Sequence, residues 1–174
     1  MEYTFTLRYR LGQTEESLDD LIGRLAEAGC DDALVGLGQP GRLALEFARE
    51  ANSARAAVHG ALADVKRAIP SARLIEAGPD YVGLTDVAEL MGMSRQNMRK
   101  LMLAYSDSFP SPVHEGKASI WRLYPVLDWL KAKGGYDVDD GLLEVARVVL
   151  DVNVAKDGMR APPSAQRQLE RLLA

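Results

Sequence analysis

The sequence predicts an α+β fold in three parts, and three observations carry that reading. Tyr3, Phe5, Leu7, Tyr9 and Leu11 alternate along one strand face near the start of the chain. Residues 84–105 combine two short helical patterns with a glycine between them. Residues 139–155 carry a broad apolar stripe at helical spacing. The expected domains are 1–78, 81–134 and 135–174.

In chain order, the alternating run makes a first strand, and a helix is expected over 15–28, with Leu18, Leu21, Ile22 and Leu25 on one side. Strands over 32–37 and 42–48 are joined by Gly38-Gln39-Pro40-Gly41, all turn-forming residues but one. Residues 54–69 read as a helix and 73–76 as a short strand. The order βαββαβ is the ferredoxin-like arrangement, an antiparallel sheet with two helices on one side. Such a domain is expected to be a sensor or interaction unit, taking a protein or small-molecule effector, or a folded spacer that fixes dimer geometry. Fold alone does not choose between them.

Counting Leu84 as the first position of the next unit, Ala88 falls fifth, Gly92 ninth and Met98 fifteenth. A helix-turn-helix needs a small residue at the helix contact, a residue tolerant of positive φ in the turn, and an apolar plug at those places. Val87, Met91, Met93 and Leu101 supply the rest of its core. Thr85 or Asp86 is expected to cap the first helix and Ser94 the second, because their side-chain oxygens can accept from orphaned amides. At about 100° per residue, Met98, Leu101, Met102 and Tyr105 share the inward side of the second helix. Gln96, Arg99, Lys100 and Leu103 point the other way, with Arg95 and Asn97 on the flanks. Cationic forks, an amide that both donates and accepts, and one apolar contact suit reading base edges and gripping phosphates. An ordinary solvated helix face fits the same pattern.

Phe109-Pro110-Ser111-Pro112 is an extended connector, since each proline disfavours helix in the residue before it. Two short β runs, 113–115 and 119–121, then flank Gly116-Lys117 and make a wing hairpin. Lys117 at its tip and Arg122 beyond its second strand are candidate phosphate contacts. Pro125 is expected at the first position of a closing helix that carries Val126, Trp129 and Leu130 and stops at Gly134-Gly135.

The run 82–130 resembles the excisionase and AlpA-type branch of the MerR-like winged helix-turn-helix proteins. The likeness rests on the helix-turn-helix, the Phe-Pro-x-Pro-Val entry to the wing, a strand ending in Trp-Arg, and the Val-x-x-Trp-Leu helix. The resemblance implies a DNA-binding role in which Gln96, Arg99 and Lys100 enter the major groove. Ser94 and Arg95 would then lie nearest the backbone, and Lys117 would touch an adjacent groove or phosphate. The wing departs from that family in carrying His114 and Glu115 where cations are expected.

Charge agrees once it is taken by segment. Residues 1–80 hold 9 Lys or Arg against 13 Asp or Glu (−4), residues 81–134 hold 7 against 5 (+2), and residues 135–174 hold 5 against 7 (−2). The total of −4 argues against indiscriminate coating of nucleic acid, while the basic middle can still attract phosphate. One such module binds modestly, so a homodimer reading two half-sites is expected.

Other chemistries find little purchase. The clusters Glu15-Glu16, Asp19-Asp20 and Asp31-Asp32 have no accompanying base and nucleophile, and acids at helix starts usually face water and favour the dipole. No Walker loop, nucleophile elbow or triad is present. The single Cys30 is expected as a buried small side chain, and His59 and His114 have no metal-ligand spacing, so neither cofactor nor metal is expected. No signal peptide is expected, and no stretch approaches the roughly 20 apolar residues of a membrane span. A cytoplasmic protein without membrane association follows.

Asp139 or Asp140 is expected to cap the last long helix, where Leu142, Val145, Val149 and Val152 form a stripe widened by Leu143, Ala146 and Leu150. Such a face needs either the N-terminal sheet or a second subunit. Gly158 and Pro162-Pro163 should end it, leaving 164–174 as a docking helix or a frayed tail. The sequence thus points to a sequence-specific double-stranded DNA-binding protein, a transcriptional regulator of bacterial or phage type. An excisionase-like architectural factor that bends DNA, or a winged-helix protein-interaction module without DNA binding, remains the alternative.

Overall fold

The computed structural model describes residues 1–12, 17–160 and 162–173. Four strands, β1 (Glu2–Arg10), β2 (Ala33–Gly36), β3 (Arg42–Glu50) and β4 (Arg73–Gly78), form a sheet in the order β2-β3-β1-β4, every neighbouring pair antiparallel. Alternation in β1 buries Tyr3, Phe5, Leu7 and Tyr9 on one face. Their partners in register are Arg49, Phe47, Leu45 and Leu43, of which the last three are fully buried. Phe5 stacks on Phe47 with ring centroids 5.1 Å apart. Helices α1 (Leu18–Glu27) and α2 (Ala54–Ala68) share this core through Leu21 and Leu25, and through Ala54, Ala57, Val58, Ala61 and Val65. Alanines on the inner side of α2 let its backbone approach the sheet closely. Of the stripe expected on α1, Leu18 and Ile22 stay largely exposed, so the buried ridge is narrower than the sequence suggests. Ser17 caps α1 by accepting from Asp20 N–H at 3.2 Å. The expected start at 15, with Glu15 and Glu16, lies outside the described residues.

A second core forms around β5 (Tyr81–Val82), α3 (Leu84–Leu90), α4 (Arg95–Ala104), β6 (Trp121–Arg122) and α5 (Leu123–Lys133). Met98, Val87, Ala88, Leu123, Leu127 and Leu130 are buried there, and Met91, Met93, Leu101 and Met102 pack against it. Between α3 and α4 the chain turns through Gly92 at φ +61°, a left-handed conformation that a side chain would strain. Gly83, not Thr85 or Asp86, occupies the N-cap of α3. Asp86 works from the third helical position instead, its carboxylate accepting the Gly83 N–H at 2.6 Å. Ser94 caps α4 as expected, its Oγ accepting from Asn97 N–H at 3.2 Å.

The hairpin expected over 113–121 is shorter than the sequence suggests. Only His114 and Ile120 bridge, because the second run goes on to pair with β5, placing Trp121 opposite Val82 and Arg122 opposite Tyr81. Trp121 Nε1 donates to the Pro110 carbonyl at 3.0 Å, and Phe109 packs edge-on against Trp121 and Trp129, which fixes the entry to this short hairpin. Pro125 stands third in α5, not first, where its missing N–H still falls among the orphan donors of the opening turn. Gly134, at φ +79°, ends α5.

Helix α6 (Asp140–Gly158), capped by Asp139, runs between the two cores. Val145, Val148 and Val149 enter the sheet core, Ala146 enters the second core, and Leu142 and Leu143 pack against the latter. Val145, Val149 and Val152 of the stripe take this chain's own sheet, and Leu142 takes the second core. A fully buried valine adds about 1.5 kcal/mol or more, so these residues are a substantial tie. Gly158 is the last residue of α6. Helix α7 (Pro163–Leu173) follows, with Leu172 and Leu173 74% and 83% exposed.

Candidate nucleic-acid interface

Helix α4 turns Met98 inward and leaves the opposite side in solvent. Ser94, Arg95, Gln96, Asn97, Arg99 and Lys100 are all exposed, and Leu103 among them is 60% exposed. Among the described residues, Arg95, Arg99, Lys100 and Lys117 enter no ion pair and the side chains of Gln96 and Asn97 make no hydrogen bond. These donors are therefore available at no internal expense. The first turn of α4 adds unsatisfied backbone amides and the positive end of its dipole, which favour an anion. Tyr105 closes the helix as C-cap, its ring edge-on to Trp129 at 5.9 Å and under Lys133 Nζ at 3.1 Å.

Lys117 is exposed in the loop 115–119. His114 turns back across that loop, since a Cβ added at Gly116 would lie 2.7 Å from its Nε2. The imidazole thus packs along the loop's own backbone.

Arg122, expected at a phosphate, is used internally. Its Nη1 donates to Asp80 Oδ2 in a very short contact, and its guanidinium lies 4.1 Å from the centre of the Tyr81 ring. The side chain is only 16% exposed, so the fork faces protein instead of solvent. Asp80 itself is fully buried, and its Oδ2 also accepts from Asn153 Nδ2 at 2.7 Å. The other oxygen, Oδ1, is buried without a hydrogen-bond partner among the described residues. Asp80, Arg122 and Asn153 therefore form a polar knot where the sheet, the β5-β6 ribbon and α6 meet. Sequence reasoning missed it, although Asn153, lone and polar between Val152 and Val154, was the available signal.

Of the acidic clusters, Glu15-Glu16 lies outside the described residues, while Asp32 and the pair Asp19-Asp20 take structural positions. Asp32 and Asp64 hold Arg49, whose Nε and Nη1 donate to them at 2.6 and 2.8 Å, while Nη2 reaches the Gly29 carbonyl at 2.6 Å. Asp19 and Asp20 lie in the first turn of α1, where negative charge suits the dipole. Among the described residues, no three or more His, Cys, Asp or Glu side chains cluster to hold a metal ion, and no helix is long and apolar enough to cross a membrane. The chain matches no protein-family model, no curated protein and no solved structure.

Proposed function

We propose that the chain is a sequence-specific double-stranded DNA-binding protein, a transcriptional regulator of bacterial or phage type. In this reading residues 81–134 act as a winged helix-turn-helix of the excisionase-like, MerR-like kind, with α4 in the major groove. The N-terminal sheet and its helices act as a ferredoxin-like domain to which that unit is fixed. The observation that carries the proposal is the uncommitted outward face of α4. In this reading Gln96, Arg99 and Lys100 read base edges, Ser94 and Arg95 lie nearest the backbone with Asn97 on the flank, and Lys117 touches an adjacent groove or phosphate; their exposure supports it.

A homodimer on two half-sites supplies the affinity one module lacks. With Val145 and Val149 already in the sheet core, its interface lies on a surface other than the α6 stripe. An effector, protein or small molecule, has a groove of about 490 Å³ between the sheet and α3, lined by Thr6, Arg8, Glu76, Tyr81 and Glu89 among others.

Selection of bound duplexes from a random pool tests the reading, followed by affinity measurements across a salt series. Gln96→Ala and Arg99→Ala are each expected to reduce discrimination at one base by about 1 to 3 kcal/mol, with unchanged melting. Lys117→Ala should weaken all duplexes alike and flatten the salt slope by about one. No enriched sequence, or three variants indistinguishable from the parent, would overturn it.

A further inference from the structure

Across the open face of the sheet, at the end where β1 finishes, three arginines stand in cross-strand register. Arg10 is paired with Arg42 on β3 and with Arg73 on β4. Residues directly opposite in antiparallel strands share a face, and their neighbours Tyr9, Leu43 and Leu74 all pack into the core on the other side. All three arginines are exposed. Among the described residues none of the three side chains has an ion-pair or hydrogen-bond partner, whereas Arg8, two residues back on the same face, has Glu76 at 3.9 Å. The next residue along this face of β3 is Ala44, so no acid there offsets the charge.

Like charges directly opposite destabilise a sheet, and this row holds two such oppositions. Strands lie about 4.8 Å apart, so the row spans roughly 10 Å in two even steps. That spacing suits a chain of negative groups better than a single ion. Guanidinium forks match phosphate oxygens two at a time. Beside Arg10 and Arg42 the surface dips into a hollow of about 590 Å³, to which Gly12, Gln39, Pro40 and Gly41 contribute.

We propose that Arg42, Arg10 and Arg73 form a binding site for a ligand carrying two or more phosphates in a chain. The site is separate from α4. Its ligand is either a free oligophosphate, such as that of a nucleotide, or the backbone of nucleic acid, and the two sources are separable.

Inorganic tripolyphosphate and a short duplex of arbitrary sequence are titrated into the full chain by calorimetry at low salt. Arg10→Gln is expected to weaken tripolyphosphate by about ten-fold or more, the loss of a charge-assisted contact shared by both ends of the row. Arg55→Gln, which removes the same charge from α2, and Arg99→Ala should leave it unchanged. Melting reports the fold independently, and Arg10→Gln should melt no lower than the parent because it relieves repulsion. If only the duplex binds and Arg10→Gln weakens it, the site stands with nucleic acid as its source. If Arg10→Gln changes neither titration, or if Arg55→Gln has an equal effect, the site is overturned.

Discussion

Asn153 brackets Ala77, its Oδ1 accepting the Ala77 N–H at 3.0 Å and its Nδ2 donating to the Ala77 carbonyl at 2.8 Å. One side chain of α6 thus takes the place of a neighbouring strand at the edge of β4. Both groups are buried, where an unpaired backbone polar atom is expensive. The same amide nitrogen reaches Asp80, so the edge contact and the buried carboxylate depend on one residue.

Asn153→Ala should therefore destabilise the protein by about 3 kcal/mol, since each buried group left unpaired costs about 1 to 3 kcal/mol. Denaturant unfolding reads the effect directly. A loss below about 1 kcal/mol would show that the bracket is dispensable.

Arg122→Ala should be a stability variant and not a DNA-contact variant. Removing one partner of a buried pair costs about 3 to 5 kcal/mol, because buried Asp80 then loses its counter-charge and keeps only the Asn153 amide. Melting temperature and DNA affinity should fall together, in contrast to Lys117→Ala. Arg122→Lys should rescue only part of the loss, as an ammonium cannot lie flat over Tyr81.

Val149→Glu should unfold the protein without first changing its mass. Val149 is fully buried against the sheet, and a carboxylate there has no partner. A destabilisation of about 4 kcal/mol or more is expected. A folded variant of normal melting and altered sedimentation would mean instead that this face contacts a second subunit.

Cys30 links alkaline pH to stability. Burial pushes its thiol up from 9.0 to about 11, with Asp64 adding to the shift and Arg49 opposing it. The folded state favours the neutral thiol, so the contribution is fully present below pH 9.0 and is lost as pH rises towards about 11. Comparing denaturant midpoints of the parent and Cys30→Ala from neutral pH to about pH 11 should show the steeper decline in the parent. Identical slopes would remove Cys30 from the account.

What the sequence makes legible is whatever repeats or sits at a fixed offset. Tyr3, Phe5, Leu7 and Tyr9 announce a half-buried strand by alternation, and Met98 opposite Gln96, Arg99 and Lys100 announces an inner and an outer side of α4. Gly92 and Ser94 mark the turn and the cap because each has a specific backbone duty. What stays hidden depends on distant residues meeting. Nothing near Arg122 in sequence foretells Asp80, 42 residues away, so an arginine beside a wing reads as a phosphate contact. The α6 stripe is equally ambiguous, because apolar periodicity states that a face is covered and not by what. The arginine row is invisible until the register of three strands aligns residues 10, 42 and 73.

Because α6 closes both cores at once, the unit built from α3, α4 and α5 has no stable existence as a separate piece. A chain cut at Gly134 would strip Ala146, Leu142 and Leu143 from around α5, and would leave the sheet without Val145 and Val149. Heat should accordingly dissolve both layers in one calorimetric transition. The orientation of α4 is then inherited from the sheet, so a strain applied at one can be felt as a tilt of the other.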